Sequence, residues 1–252
     1  MPRDRLRPWY RLLGGILLCA IAVMLVLATP ALRLLDGQTV RLFGAGRPHP
    51  RIAAVYLSGD MGLRFGMGPK VAPALAGHGI PVIGISSAAN FATRRTRAEI
   101  DAMLADAVRT ALVRTGAKRV VLIGQSFGAD MVATAAPDLP AALRPRIAAI
   151  VLVVPAQTAY FRADPTGLAY LGTPDARPAA ALRATGWAPI ICIYGIREAD
   201  SLCPALGPDH ARAVALPGGH FLDRDDRRLV ATILAQLHAA DPAIVDQPNR
   251  PT

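Results

Sequence analysis

The segment Val120-Val121-Leu122-Ile123-Gly124-Gln125-Ser126-Phe127-Gly128-Ala129-Asp130 sets a serine between two glycines directly after an apolar run. Gly-x-Ser-x-Gly at a strand-to-helix junction is a nucleophile elbow, because both glycines permit a turn too tight for a Cβ and the hydroxyl then projects from the sheet edge. A serine hydroxyl is a poor nucleophile until a base takes its proton, and in elbow proteins the partners follow in the chain order serine, acid, histidine. Three histidines lie downstream: His210, His220 and His238. His238 falls inside a terminal helical pattern and His210 in a polar stretch. His220 stands in Leu216-Pro217-Gly218-Gly219-His220-Phe221, a glycine loop after the last apolar run, and is the expected base. The acid is expected after the preceding run, Ile190-Ile191-Cys192-Ile193-Tyr194-Gly195, where Glu198 and Asp200 both occur. Counting from Gly195 favours Glu198 and counting back from Pro204 favours Asp200. Asp200 is the preferred acid, with Glu198 as the alternate.

An acyl-transfer site also needs two backbone N–H groups for the oxyanion. The N–H of Phe127 at the helix start supplies one. The other is expected from Leu57-Ser58-Gly59-Asp60-Met61-Gly62, through Asp60 or Met61. Cys192 and Cys203 lie eleven apart, at a strand end and in the following loop. In an exported chain they are expected to pair and staple the loop that carries the acid, worth about 3 kcal/mol by loop entropy, the alternative being two free thiols. No Cys-x-x-Cys or clustered histidine pattern suggests a metal, and no cofactor is called for.

The elements that must position these residues are legible as alternation. Val- and Ile-rich runs at Ile52–Leu57, Pro81–Ile85, Val120–Gly124, Ile147–Val154, Pro189–Tyr194 and Ala213–Leu216 are continuous rather than alternating, the mark of parallel strands buried on both faces. Thr96–Thr115 reads as a helix, with Ile100, Met103, Leu104, Val108 and Leu112 on one stripe and Thr96 and Glu99 in capping-box spacing. Asp225–Leu237 reads as a terminal helix. Strand–helix alternation with right-handed crossovers predicts an α/β fold built on a mostly parallel, doubly wound sheet with no large cap domain.

The 252 residues are 52% hydrophobic and 18% charged, which excludes a disordered chain, and three cysteines exclude a disulfide-dense scaffold. The net charge of +10 is uneven. Residues 1–51 hold eight Arg against two Asp, whereas residues 52–240 hold 19 basic against 14 acidic side chains, so no nucleic-acid partner is expected. Arg3, Arg5, Arg7 and Arg11 precede seventeen uncharged residues, Leu12 to Ala28, the pattern of a signal anchor or signal peptide that sends the body across a membrane. The expected organisation is a signal anchor or peptide at 1–30, a juxtamembrane linker at 31–51 with one strand near Gln38–Phe43, a catalytic domain at 52–240 and a disordered tail at 241–252. Location in the periplasm, anchored to the inner membrane by residues 12–28, follows from that order.

Four blocks make the chain resemble the VirJ-type bacterial virulence proteins, a family that includes the carboxyl-terminal domain of the acid-virulence protein AcvB. They are Leu57-Ser58-Gly59-Asp60, Gly124 to Asp130, Cys192-Ile193-Tyr194-Gly195 with Ala199-Asp200-Ser201-Leu202-Cys203-Pro204, and Leu216-Pro217-Gly218-Gly219-His220. The resemblance covers about residues 53–237. It implies an exported α/β-hydrolase that removes the amino acid from an aminoacyl-phosphatidylglycerol such as the lysyl or alanyl lipid, so that membrane phospholipid is the expected partner. It also implies, as an alternative, a non-catalytic accessory of type IV secretion; an esterase or lipase of other specificity is a third reading. A substrate ammonium calls for Asp60 or Asp130, and Arg64 or the Arg94-Arg95-Arg97 run is placed to meet a lipid phosphate. The chain departs from the family at Gln125, where Tyr is usual, at Met61-Gly62-Leu63 in place of Gly-Gly-Trp, at Phe221 in place of a second His, and near Phe91, where aromatic residues are fewer. These departures bear on pocket shape and leave the serine, acid and histidine positions intact.

Overall fold

The computed structural model describes residues 7–28, 36–44 and 50–243. Its centre is a seven-stranded sheet: β1 (Val40–Phe43), β2 (Ile52–Leu57), β3 (Val82–Ile85), β4 (Arg119–Gln125), β5 (Ile147–Val153), β6 (Ile190–Gly195) and β7 (Arg212–Leu216). The spatial order is β1-β3-β2-β4-β5-β6-β7, with β1 antiparallel to β3 and every other pair parallel. Every residue of β2, β3 and β5 is buried, which is why these strands read as unbroken apolar runs. Their side chains divide by parity between two cores. Val55, Leu57, Val120 and Leu122 face one layer; Ala54, Tyr56, Val121 and Ile123 face the other.

The helices are α1 (Arg7–Ala28), α2 (Gly68–Gly77), α3 (Ser87–Asn90), α4 (Arg97–Thr115), α5 (Phe127–Ala135), α6 (Ala179–Arg183), α7 (Leu202–Leu206) and α8 (Asp226–Ala240). α4 and α5 cover the first face through Leu104, Val108, Met131 and Val132. α2 and α8 cover the second through Val71, Leu75, Leu229 and Ile233. The box at the start of α4 forms as its spacing predicts. The Thr96 hydroxyl accepts the Glu99 N–H at 3.3 Å, and the Glu99 carboxylate accepts the Thr96 N–H at 2.7 Å.

The chain reverses its direction of winding after β2. β3 lies on one side of β2 and β4 on the other, so the carboxyl ends of β2 and β4 flank the crevice where α/β sheets bind ligands.

Two expectations change here. The strand expected near Gln38–Phe43, within the segment read as a linker, is found as β1 and joins the sheet, so the folded unit begins before residue 52. The buried Asp36 carboxylate accepts the N–H of Leu63 at 2.9 Å, tying this segment to the loop after β2. The second concerns the anchor. α1 exposes Trp9, Leu13, Leu17 and Leu25, yet no helix among the described residues is long and apolar enough to cross a membrane, so the anchor expectation gains no support. The tail assigned to 241–252 lies, from residue 244, outside the described residues, as do Arg33 and Arg47.

Candidate active site

Ser126 follows β4 directly with φ 53° and ψ −124°, a conformation that non-glycine residues rarely adopt. The flanking glycines make it possible. A Cβ on Gly128 would lie 2.2 Å from the Leu57 carbonyl oxygen, and one on Gly124 would lie 2.4 Å from that of Gly128. Strand β2 and the helix start pack backbone against backbone, and the serine is forced outward. Its N–H donates to the Val153 carbonyl at 2.8 Å, which pins the elbow to β5.

The Ser126 Oγ lies 2.7 Å from His220 Nε2, and His220 Nδ1 lies 2.7 Å from Glu198 Oε1. The expected acid is therefore corrected: Glu198, not Asp200, meets the imidazole. The turn that leaves β6 is the reason. The Glu198 N–H donates to the Gly195 carbonyl at 2.8 Å, and the Glu198 Oε2 accepts the Gly195 N–H at 2.9 Å, so the side chain folds back over the strand end. Only 7% of that side chain is exposed, against 44% for His220. Two residues later the chain has moved off to pair with the segment after β5, where Gln157 N–H donates to the Asp200 carbonyl, and the Asp200 side chain is exposed. Gly195 itself touches the histidine loop. A Cβ there would meet the Gly219 carbonyl oxygen at 2.2 Å, so acid and base loops are held in direct backbone contact.

Cys192 and Cys203 are joined, with Cα atoms 5.3 Å apart, and close the loop that carries Glu198.

Phe127 opens α5, where the first N–H groups have no intrahelical acceptor. Across the crevice, Gly59–Gly62 forms a turn closed by Gly62 N–H on the Gly59 carbonyl at 3.0 Å. A Cβ on Gly59 would sit 3.6 Å from that of Ser126, so this turn borders the nucleophile. Both candidate second donors, the N–H groups of Asp60 and Met61, belong to this turn. Sequence reasoning missed what fixes the turn: the Ser58 hydroxyl accepts the Ser87 N–H at 2.9 Å, and the Ser87 hydroxyl donates to the Ser58 carbonyl at 2.6 Å.

Burial raises the pKa of Asp60, opposed by the Tyr170 hydroxyl, by the nearby His220 and by the Met61 N–H. Tyr170 Oη donates to Asp60 Oδ2 at 3.2 Å and accepts the Asp164 N–H at 2.9 Å. Tyr170 lies 110 residues from Asp60, and no local signal marks it. Asp130, the other candidate for a substrate ammonium, binds inward instead: its Oδ1 accepts the Ala156 N–H at 2.8 Å. Burial, with Asp200, Asp60 and Glu198 nearby, lifts its pKa well above the ordinary carboxylate range.

The cationic candidates separate. Arg94 pairs with Asp175, Arg95 with Glu99, and Arg97 with Asp101 and Asp138, so this run braces the start of α4. Arg64 is exposed on the loop after β2 and makes no ion pair among the described residues. Gln125 is buried beneath the elbow, where its Oε1 accepts from the hydroxyl of fully buried Tyr56. No grouping among the described residues could hold a metal ion.

Residues 51–241 match the family model described as bacterial virulence protein (VirJ). No curated protein shows a significant match. Among solved structures, the esterase domain of a Rhodothermus marinus protein is 15% identical with a TM-score of 0.55, over 79% of this chain and 91% of that one. Est1E of Butyrivibrio proteoclasticus is 13% identical with a TM-score of 0.57, over 79% and 93%. The proline iminopeptidase of Mycobacterium smegmatis is 17% identical with a TM-score of 0.58, over 81% and 95%. At these identities the likeness establishes the α/β-hydrolase fold.

Proposed function

The chain belongs to the VirJ family of bacterial virulence proteins, and from that premise we propose that it is a serine hydrolase of the periplasmic face of the inner membrane that cleaves the aminoacyl ester of an aminoacyl-phosphatidylglycerol. The observation that carries the enzymatic part is the unbroken relay Ser126–His220–Glu198 on a strained elbow. Strain of this kind costs of order 1–3 kcal/mol and is kept where the chemistry uses it.

In this mechanism Ser126 Oγ attacks the ester carbonyl while His220 Nε2 takes its proton. The Nδ1–H stays directed at Glu198, which holds the ring and stabilises its charged form. The N–H groups of Phe127 and of the Gly59–Gly62 turn receive the oxyanion. Collapse expels phosphatidylglycerol, whose oxygen takes the proton from His220, and leaves the amino acid esterified to Ser126. His220 then deprotonates a water that attacks this ester, and the free amino acid departs. The substrate's ammonium lies next to the scissile carbonyl, and the Asp60 carboxylate, held by Tyr170 beside His220, is its partner. Export is supported by the basic amino-terminal segment and by the cysteine pair.

The test is release of labelled amino acid from lysyl- and alanyl-phosphatidylglycerol by the protein and by Ser126→Ala. The wild-type chain releases it and the variant loses at least about a thousandfold. Equal release by both would remove the serine mechanism; release by neither would remove the substrate.

A further inference from the structure

Outside α1, seven large apolar side chains of the described residues are exposed: Val40, Phe65, Val113, Leu168, Leu171, Ile196 and Phe221. Five of these lie on loops that leave the carboxyl ends of parallel strands, and those ends share one edge of the sheet. Phe65 follows β2, Leu168 and Leu171 follow β5, Ile196 follows β6 and Phe221 follows β7. Their exposures run from 44% at Phe65 to 82% at Leu171. What these loops have in common is the mouth of the serine site. The Phe221 ring stands edge-on to His220 at 5.7 Å. Tyr170, between Leu168 and Leu171, bonds Asp60. Ile196 is two residues from Glu198, and Phe65 lies on the loop that begins with the oxyanion turn.

The tips are interleaved with arginines. Arg64 adjoins Phe65 and Arg224 follows Phe221 by three residues; both are exposed and make no ion pair among the described residues. Arg197 adjoins Ile196 and is paired with Asp223 at 2.9 Å, so it adds no free charge to the rim. Apolar tips beside the unpaired Arg64 and Arg224 match the headgroup zone of an anionic leaflet, where apolar side chains enter the boundary and cations meet lipid phosphates. The same chain carries α1, whose apolar side chains are exposed from Trp9 to Leu25, and only residues 29–39 separate it from β1. Eleven residues reach at most about 40 Å, so a bilayer surface on which the exposed apolar side chains of α1 lie, without crossing it, is within reach of the body.

We propose that this rim docks on an anionic phospholipid surface and turns the mouth of the Ser126 site onto the bilayer, so that the ester is taken up from the plane of the leaflet. The inference rests on the lipid-ester reading of the site and adds to it how the substrate arrives.

The test uses the full chain in a Cys19→Ser background, with Leu171→Cys or Val113→Cys carrying an environment-sensitive fluorophore. Val113 is 82% exposed near the end of α4, at the opposite edge of the sheet. On phosphatidylglycerol vesicles the label at 171 shifts to the blue and that at 113 does not; phosphatidylcholine vesicles give a smaller shift. No shift at 171 in chains that co-sediment with vesicles overturns the proposal, as do equal shifts at both positions. A shift without vesicles that grows with protein concentration assigns the rim to a second copy of the chain, which also overturns it. In parallel, Phe65→Ser with Leu171→Ser lowers hydrolysis of a vesicle-held aminoacyl lipid by roughly tenfold and leaves a soluble ester within about twofold. If wild type cleaves neither ester, the enzymatic reading fails while the fluorophore still decides the docking.

Discussion

At the scale of single residues the site turns on which carboxylate holds His220. Both candidates were visible in the sequence, and the choice was not, because it depends on which hydrogen bonds close the turn after β6. The Gly195–Glu198 turn folds Glu198 back, and its extra methylene lets one oxygen take the Gly195 N–H while the other reaches the imidazole at 2.7 Å. Glu198→Gln keeps the volume but offers the Nδ1–H a weaker, neutral acceptor, and is expected to lower kcat by roughly a thousandfold or more with little change in KM. Asp200→Asn, at an exposed side chain, is expected to stay within about twofold. Steady-state kinetics on a soluble ester checks both, and a larger loss at Asp200 would reverse the assignment. Asp60 gives a second residue-scale expectation. Its pKa is raised, so acidification protonates it before an ordinary carboxylate near pH 4 would respond. KM for an aminoacyl ester should then rise as the pH falls through that raised value, while KM for an ester without an ammonium stays level. Asp60→Asn should abolish the difference between the two substrates.

At the scale of elements, the strands were legible because a buried parallel strand must be apolar on both faces, and β2 was found with the limits its composition gives. The helix α2 was not named, since Pro73 interrupts its interior and glycines stand at both ends. The shorter α6 and α7 span five residues each, too few for a periodic stripe. Serine and histidine were legible because each sits in a local glycine motif; Tyr170, Ser58 and Ser87 act through folded contacts that leave no such mark. Two element-scale expectations concern how the loops are tied. The Cys192–Cys203 link closes the segment that carries Glu198, and Cys203→Ala with Cys192→Ala should cost about 3 kcal/mol in denaturant unfolding. Asp130 ties α5 to the loop after β5 through the Ala156 N–H, at the expense of holding a buried carboxylate with a raised pKa. Above that raised pKa the folded state must ionise a group that the unfolded chain ionises more easily, so the charge destabilises the fold, and the penalty fades as the pH falls toward the ordinary value near 4. Asp130→Asn retains the acceptor without the charge. It should raise Tm at neutral pH, with the gain lost on acidification; a gain that persists at low pH would assign it to packing instead.

At the scale of the whole molecule, the apolar runs alone place the start of the folded unit at residue 52, and the structure moves it back to Asp36. A strand is expected near Gln38–Phe43, but not its place in the sheet: β1 has four residues, pairs antiparallel at the sheet edge and is half exposed, so it lacks the continuous apolar character of its neighbours. Its contribution is nonetheless central. β1 covers the open edge of β3 over the whole register from Val40–Ile85 to Phe43–Val82. Without it, β3 presents a row of unpaired backbone groups, the arrangement that recruits other chains. The preceding residue group does more than cap an edge. Asp36, 1% exposed, accepts the Leu63 N–H, and Thr39 O accepts the Ser86 N–H and the Asn90 side-chain amide. Ser86 in turn leads into Ser87, which holds Ser58 at the head of the oxyanion turn. The amino-terminal segment thus supports the site through two routes that end at Leu63 and Ser58, on either side of Gly59–Gly62. A chain beginning at Asp36 should therefore fold and retain turnover of a soluble ester, whereas one beginning at Arg51 should lose β1 and both routes together. The expected result for the shorter chain is a loss of solubility or a clear fall in Tm, with kcat on the soluble ester reduced even in whatever fraction stays folded, because the second oxyanion donor is no longer fixed. Size-exclusion chromatography, thermal unfolding and ester turnover on the two chains separate the cases. Equal turnover per folded molecule would show that β1 serves the edge alone, and equal stability would return the boundary to residue 52.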